Sequence, residues 1–301
     1  MSILLLESLH DEAEQCLARC GTLVRAASPT EVVGDLADVR AILTRGRGRI
    51  DAALMARCPQ LRVVARPGAG VDNIDVDAAK ARGVAVVHAP GMNAATVAEH
   101  AIALILDVVR GVTRWAGAVR AGRWNDRGGY AGNELGGLTL GVVGFGNIGR
   151  RVAELACAFR MRVVVARHGE KAAEPGIESM PLAELLRCAD VVTLHTPLTA
   201  ATRGMIGAGE LACMKPTAFL VNTARGALID QAALKEALRQ RRIAGFAADV
   251  LAEQPPAQDD DLLRMEGVVI TPHVASLTAG TYRAMCVETA RRVVEALATD
   301  R

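Results

Sequence analysis

The sequence predicts an α/β protein made of two doubly wound parallel-sheet domains, and three observations lead there. Short apolar runs alternate with amphipathic stretches along the whole chain, which is the pattern of parallel strands joined by helical crossovers. A length of 301 residues suits two domains of about 150 residues each better than one. Near the middle, the turn VVGFGNIGRR at Val142–Arg151 joins a buried strand to an amphipathic helix.

The elements follow in order. Strands are expected at 2–6, 22–26, 40–44, 62–66 and 84–88 with helices between them, forming one compact unit. A long helical stretch from about Thr96 to Arg120 comes next, with Thr96 as its cap and Glu99 completing a capping box. The segment AGRWNDRGGYAGNELGG, residues 121–137, reads as an irregular loop at a linker or subunit contact. A second strand series is expected at 138–144, 161–166, 190–195, 218–222, 243–248 and 268–270. The last helix, about 277–298, follows the end of that series, so the carboxyl end is expected to pack back on the first domain.

Bulk properties narrow the partner. Lys plus Arg number 35 against 33 Asp plus Glu, a net charge of +2, and no basic run is long enough for a nucleic-acid face. Aromatics are 3% of the chain, too few for a base-stacking platform, so a small-molecule partner is expected. No apolar run reaches the roughly 18 residues of a membrane span, and the opening ILLLES turns polar too soon for a signal peptide, so the expected location is cytoplasmic with no membrane partner. Seven cysteines form no C-x-x-C pair and, odd in number and spread along the chain, make no disulfide framework; Cys16 and Cys20 would share a helix face, where buried thiols are expected rather than metal ligands.

The stretch LTLGVVGFGNIGRRVAELACAF has the order a dinucleotide site requires: strand, glycine turn, helix. Gly144 permits the sharp turn, Gly146 lets a pyrophosphate approach the backbone, and Gly149 lets helix and strand pack closely. The helix opens at Asn147 or Ile148, and its amino end supplies N–H donors and positive dipole. At the end of the next strand, where a binder of NAD carries Asp or Glu, this chain has Arg167, His168 and Lys171. Cations there suit a 2′-phosphate, so NADP is favoured over NAD, with a solvated basic loop as the alternative.

Further motifs stand at set places: ARPGAGVDNID (65–75), APGMNAATVAEH (89–100), HTPLT (195–199), NTARGALID (222–230), AADV (247–250) and TPHVAS (271–276). Around the dinucleotide turn, and over nearly the whole chain, this set resembles the D-isomer-specific 2-hydroxyacid dehydrogenases. The resemblance implies two Rossmann-like domains with an interdomain cleft. The flavodoxin-like substrate domain would comprise 1–93 plus 280–301, and the dinucleotide-binding domain 94–279. It also implies a homodimer, for which residues 96–137 are the expected contact. The activity implied is hydride transfer between a nicotinamide and a 2-oxo or 2-hydroxy acid.

By the same resemblance, Arg225 anchors the acid's carboxylate and polarises its ketone, and His273 is the general acid and base. His195, Thr196, Pro197, Thr223 and Ala224 would line the cofactor, and Asp249 would accept from the nicotinamide amide or serve as a structural carboxylate. For the substrate, the backbone donors of Ala69 and Gly70 would form a carboxylate nest through the glycines at 68 and 70. Asn93 would add a hydrogen bond, and Arg45 and Arg66, on the same strand-end rim, would either meet a second anionic group such as a phosphate or stand as solvated arginines.

One position departs from the family. Where its dehydrogenases pair the His with Glu, this chain has Gln254, with Glu253 one residue earlier. Gln orients the ring without adding charge, so carbonyl reduction should weaken above neutral pH. The Gln–His pair with Arg225 and Asn93 also resembles formate dehydrogenase, although Ala69 leaves more room than that enzyme type does. A dinucleotide-sensing protein of the corepressor kind, with little catalysis, is the other open alternative.

Overall fold

The computed structural model describes residues 1–166 and 176–298. The chain divides into two compact units, Met1–Asn93 with Ser276–Arg301, and Ala94–Ala275.

The first unit comprises β1 (Ser2–Leu5), α1 (Asp11–Ala18), β2 (Thr22–Arg25), β3 (Val39–Leu43), α2 (Ala52–Ala56), β4 (Val63–Arg66), α3 (Val76–Ala81) and β5 (Ala85–His88), with α10 (Ala279–Ala298) added from the end of the chain. Its strands pair in parallel in the order β2-β1-β3-β4-β5. Side chains alternate between the two faces of a strand, so a sheet covered on both sides needs apolar residues at consecutive positions. Accordingly Ile3 and Leu5 pack with Leu17, Cys286, Ala290 and Val293 under α1 and α10, while Leu4 joins Ile42, Ile50, Met55 and Val64 on the opposite face. Asp51 and Asp75 cap α2 and α3 by accepting from the N–H groups of Leu54 and Ala78, both at 2.9 Å.

The second unit comprises α4 (Ala94–Arg110), α5 (Val112–Arg120), β6 (Thr139–Val143), α6 (Asn147–Ala158), β7 (Arg162–Ala166), β8 (Glu178–Ser179), α7 (Leu182–Cys188), β9 (Val191–Leu194), α8 (Ala208–Cys213), β10 (Phe219–Asn222), α9 (Gln231–Arg239), β11 (Gly245–Ala248) and β12 (Val268–Ile270). The order β12-β11-β10-β9-β6-β7-β8 is again parallel throughout. One core lies under α4 and α6, with Ile102, Ile105, Val152 and Ala156 against Val142 and Val163. The other lies under α7, α8 and α9, with Leu185, Leu211 and Leu234 against Leu194, Leu220 and Phe246. Strand order reverses beside β6, so the crevice between the carboxyl ends of β6 and β9 is the topological switch point, where such sheets take their ligands.

Three local expectations need correction. The long helix is two, because Gly111 adopts a left-handed φ of 65° and ends α4. The Asp107 carboxylate then holds the first turn of α5 by accepting from Thr113 N (2.7 Å) and Thr113 Oγ1 (2.6 Å). Thr96 is no cap, since α4 already begins at Ala94 and Thr96 lies inside its first turn. The two-residue edge strand β8 was not anticipated, as its Glu178 and Ser179 present no apolar run. Among the described residues, no helix is long and apolar enough to cross a membrane.

Candidate active site

The glycine turn distributes three tasks over three positions. Gly144 has a φ of 93°, and a Cβ there would lie 2.7 Å from the His195 carbonyl and from Thr196 N, so only glycine fits against the neighbouring strand end. A Cβ on Gly149 would lie 2.1 Å from the Gly144 carbonyl oxygen, which measures how closely α6 is drawn onto β6. Gly146 differs: its φ of −85° is ordinary, and a Cβ there would meet nothing within 4 Å. The space over Gly146 is therefore a cradle. Asn147 and Ile148 form the first turn of α6 behind it, and no side chain caps that turn, so its donors are left for a ligand.

Two buried polar atoms lie on residues of the adjacent strand ends. After β9, His195 Nε2 bonds Thr193 Oγ1 at 2.9 Å, while its Nδ1 is buried and has no partner. Burial pushes the His195 imidazole down to about 3, so it is neutral throughout the physiological range. After β10, Thr223 Oγ1 is likewise buried and unpartnered. Thr196 is half-buried and Pro197 exposed, with the Pro197 carbonyl accepting from Thr202 Oγ1 at 2.7 Å. A cradle over glycine beside orphaned polar groups fits a dinucleotide bearing phosphates and ribose hydroxyls. Arg167 and His168, like Lys171, lie outside the described residues.

The loop after β10 is shaped by Asn222, which sequence reasoning left without a role. Fully buried, it donates Nδ2 to the Arg225 carbonyl (2.8 Å) and accepts the Ala224 N–H on Oδ1 (3.0 Å). This closes an Asx-type turn that fixes where Arg225 leaves the sheet. The half-buried Arg225 donates Nη1 to the Ala224 carbonyl at 2.7 Å. The signal was present as an Asn at a strand end two residues before a loop N–H.

After β12, His273 adopts a left-handed φ of 57°, a costly conformation for a side-chain-bearing residue. Its N–H donates to the Asp249 carbonyl at 2.9 Å. Asp249, 1% exposed, accepts from Thr271 Oγ1 (2.6 Å) and Val274 N (2.9 Å) on Oδ1, and from Ala275 N (2.8 Å) on Oδ2. Asp249 thus carries the structural task that was its alternative reading: it folds the residues on both sides of His273. The exposed His273 ring donates Nδ1–H to Gln254 Oε1 at 2.8 Å, and Gln254 Nε2 donates to the Leu251 carbonyl at 2.8 Å. That second bond fixes which end of the amide faces the ring.

The first unit holds the remaining residues. The loop after β4 is braced by Arg66, which donates Nε to the Arg45 carbonyl (2.9 Å) and Nη1 to the Gly70 carbonyl (2.7 Å), while His88 Nδ1 donates to the Ala69 carbonyl at 3.0 Å. Arg66 thus braces this loop. The nest expectation changes, because neither Gly68 nor Gly70 takes a left-handed φ. Arg45 donates to the Ser8 carbonyl at 3.3 Å and lies 4.9 Å over the Tyr282 ring. Asn93 Oδ1 is buried and unpartnered.

One feature of this unit escaped the sequence. At its switch point, the carboxyl ends of β1 and β3, a single oxygen of Glu7 accepts from Thr44 Oγ1 (2.9 Å) and from the N–H groups of Arg45 (2.8 Å), Gly46 (2.9 Å), Arg47 (3.1 Å) and Gly48 (3.2 Å). Burial alone would raise the Glu7 carboxyl, but these donors outweigh it and hold it below its usual range.

A family model described as D-isomer specific 2-hydroxyacid dehydrogenase, NAD binding domain, matches residues 102–275. The chain belongs to that family. It is 37% identical over 284 residues to D-3-phosphoglycerate dehydrogenase of Archaeoglobus fulgidus, an alignment covering 92% of this chain and 54% of that protein. It thus spans about half the length of that relative. A D-lactate dehydrogenase from Aquifex aeolicus, solved with NAD and lactic acid, superposes with a TM-score of 0.91 at 29% identity, covering 100% of this chain and 96% of the other. An NADPH-dependent glyoxylate/hydroxypyruvate reductase from Sinorhizobium meliloti, solved with NADP and malonate, superposes with a TM-score of 0.89 at 30% identity, covering 97% and 92%. The fold of this dehydrogenase family, two parallel-sheet units with a Rossmann-like second one, is the fold described above.

Proposed function

We propose that this chain is an NAD(P)-dependent oxidoreductase that interconverts small 2-oxo acids and D-2-hydroxy acids. The observation that carries the reading is shared placement. Arg225 and His273 leave the carboxyl ends of β10 and β12, in the same sheet whose β6 leads into the Gly144–Gly149 turn. When bound, the reduced nicotinamide supplies the hydride. Arg225 grips the acid's carboxylate with paired donors and draws charge toward the ketone oxygen. His273 gives its Nε2 proton to that oxygen as negative charge develops there, while Nδ1–H stays on Gln254. In oxidation the same nitrogen takes the proton back.

The first unit's share of substrate binding is assigned to the N–H groups of Ala69 and Gly70, to Asn93 and to Arg45. Among the described residues, neither of those two N–H groups donates to a protein acceptor. Asn147, Ile148, His195, Thr196, Pro197, Thr223 and Ala224 are assigned to the cofactor. NADP is favoured over NAD because Arg167 and His168 directly follow β7, which ends at Ala166. The Sinorhizobium reductase, 30% identical, holds NADP. A homodimer through residues 96–137 is supported by an exposed apolar set there, Val112, Val119, Trp124 and Tyr130. Seven free thiols suit a reducing compartment, taken to be the cytoplasm.

The test is oxidation of NADPH and NADH by the purified chain with glyoxylate, hydroxypyruvate and a larger 2-oxo acid. Turnover with at least one acid is expected, and Arg225→Gln should lower it at least a hundredfold. Cofactor binding without turnover on any acid would make the chain a sensor instead. Arg167→Asp is expected to swing preference toward NADH, and an unchanged NADPH/NADH ratio would remove the assignment to the 2′-phosphate.

A further inference from the structure

The left-handed backbone at His273 needs a support that outweighs its strain, and the support traces back to a side chain on α4. The Thr271 hydroxyl has one hydrogen, and the 2.6 Å contact with Asp249 Oδ1 commits it to the carboxylate. His100 Nε2 lies 2.9 Å from the same Thr271 oxygen. With the hydroxyl hydrogen already spent, His100 must be the donor in that pair. The same nitrogen is 3.6 Å from Asp249 Oδ1, so its N–H also faces the buried carboxylate. Donation therefore runs from His100 through Thr271 to Asp249, which also accepts from the N–H groups of Val274 and Ala275 that follow His273.

We propose that His100 is a positioning residue for His273, acting through Thr271 and Asp249 without touching the reacting groups. A carboxylate 1% exposed is costly unless its lone pairs are satisfied, and each donor it loses weakens its hold on the rest. Removal of the His100 N–H leaves the Thr271 oxygen short of a donor and Asp249 less well compensated. The 274–275 N–H groups then exchange with solvent more readily, and His273 spends less time in its productive orientation. The kinetic part of this inference rests on the reductase reading above, whereas the structural part does not.

The experiment compares His100→Ala, His100→Gln and Thr271→Val with the unaltered protein. Gln can place an N–H near the position of Nε2. His100→Ala should speed amide hydrogen exchange of Val274 and Ala275 at least tenfold, and lower kcat about tenfold, with KM for the cofactor within about twofold. His100→Gln should restore both readouts to within about threefold of the unaltered protein. Thr271→Val should match His100→Ala, and the double variant should be no worse than Thr271→Val alone. Unchanged exchange at 274–275 in His100→Ala, failure of rescue by Gln, or additive losses in the double variant would each overturn the proposal. If the unaltered protein turns over no 2-oxo acid, the reductase reading falls and the exchange measurement still decides the role of His100. If His100→Ala does not fold, Thr271→Val and His100→Gln carry the same comparison.

Discussion

Replacing Gln254 by Glu puts a charge where the family's dehydrogenases carry one, and the geometry sets the size of the effect. Gln254 Oε1 accepts from His273 Nδ1 at 2.8 Å, so a carboxylate there would hold its charge about 4 Å from the centre of the imidazolium charge. Two unit charges at that distance attract by about 1 kcal/mol in water and about 4 kcal/mol at an effective dielectric of 20. Both side chains are exposed, which places the pair toward the lower figure. The replacement also loses the bond from Gln254 Nε2 to the Leu251 carbonyl and sets two acceptors against each other there, which offsets part of the gain. A net of at most about 1 kcal/mol corresponds to a rise of up to roughly 0.7 pH unit in the titration of His273. The sign follows from the proton's direction: the carboxylate favours imidazolium, reduction consumes its proton, and activity should persist to higher pH. The assay is kcat for 2-oxo acid reduction from pH 5.5 to 9.5 under saturating cofactor. A midpoint that stays within about 0.2 unit in a folded, cofactor-binding variant would show that His273 is not the proton donor, or that its partner is not residue 254.

The glycine turn gives a paired test. Gly149→Ala should cost more than about 3 kcal/mol in thermal or urea unfolding, because its Cβ would lie 2.1 Å from a backbone oxygen, whereas Gly146→Ala should fold normally and lose at least tenfold in cofactor affinity by titration. Glu7→Gln should lower stability by about 2–3 kcal/mol at pH 7, since the charged acceptor of five donors becomes neutral. The folded-state value of Glu7 lies below its ordinary 4.5, so its contribution is present above that pH and lost as pH falls below it. The melting temperature of the unaltered protein should therefore fall toward that of Glu7→Gln in acid, and a difference that stays constant down to pH 3 would remove the nest from the account. Trp124→Glu should halve the mass measured by light scattering if residues 96–137 join two chains, and an unchanged mass places the contact elsewhere.

Much of this was legible in the sequence, for reasons visible in particular residues. Strands buried on both faces write themselves as unbroken apolar runs, so ILLL and GVV were read within a residue or two of Ser2–Leu5 and Thr139–Val143. The glycine turn was legible because each glycine answers a different steric demand. What stayed hidden depends on contacts distant in sequence. Glu7 meets residues 44–48 only once β1 and β3 lie side by side, and neither segment alone carries a mark of the other. Likewise the bonds that Asp249 accepts from residues on both sides of His273 join segments more than twenty positions apart, and neither segment alone marks the other. Gly111 was visible but ambiguous: a glycine inside a helical pattern can be tolerated or can end the helix. The Asp107 carboxylate, placed to hold Thr113, tips that balance.

The two sheets obey one topological rule and use it in opposite ways. In the second unit the donors at the switch point face a space bounded by Gly144 and Gly146, and His195 and Thr223 on adjacent strand ends keep polar atoms without partners. In the first unit the corresponding crevice offers a run of four backbone N–H groups, but the chain's own Glu7 has taken them. An acid substrate therefore cannot use residues 45–48 as its anion nest without expelling a carboxylate already held there below its usual range. At the next strand end Arg66 and His88 hold the Gly70 and Ala69 carbonyls, and under the proposed function the N–H groups of those two residues take the acid. Under this division Glu7 shapes the loop that bears Arg45 without contacting substrate. Glu7→Gln should therefore leave KM for glyoxylate, which has no side chain to read, within about twofold. A large rise in that KM would mean the two strand-end loops act as one binding surface rather than in the two separate roles assigned to them.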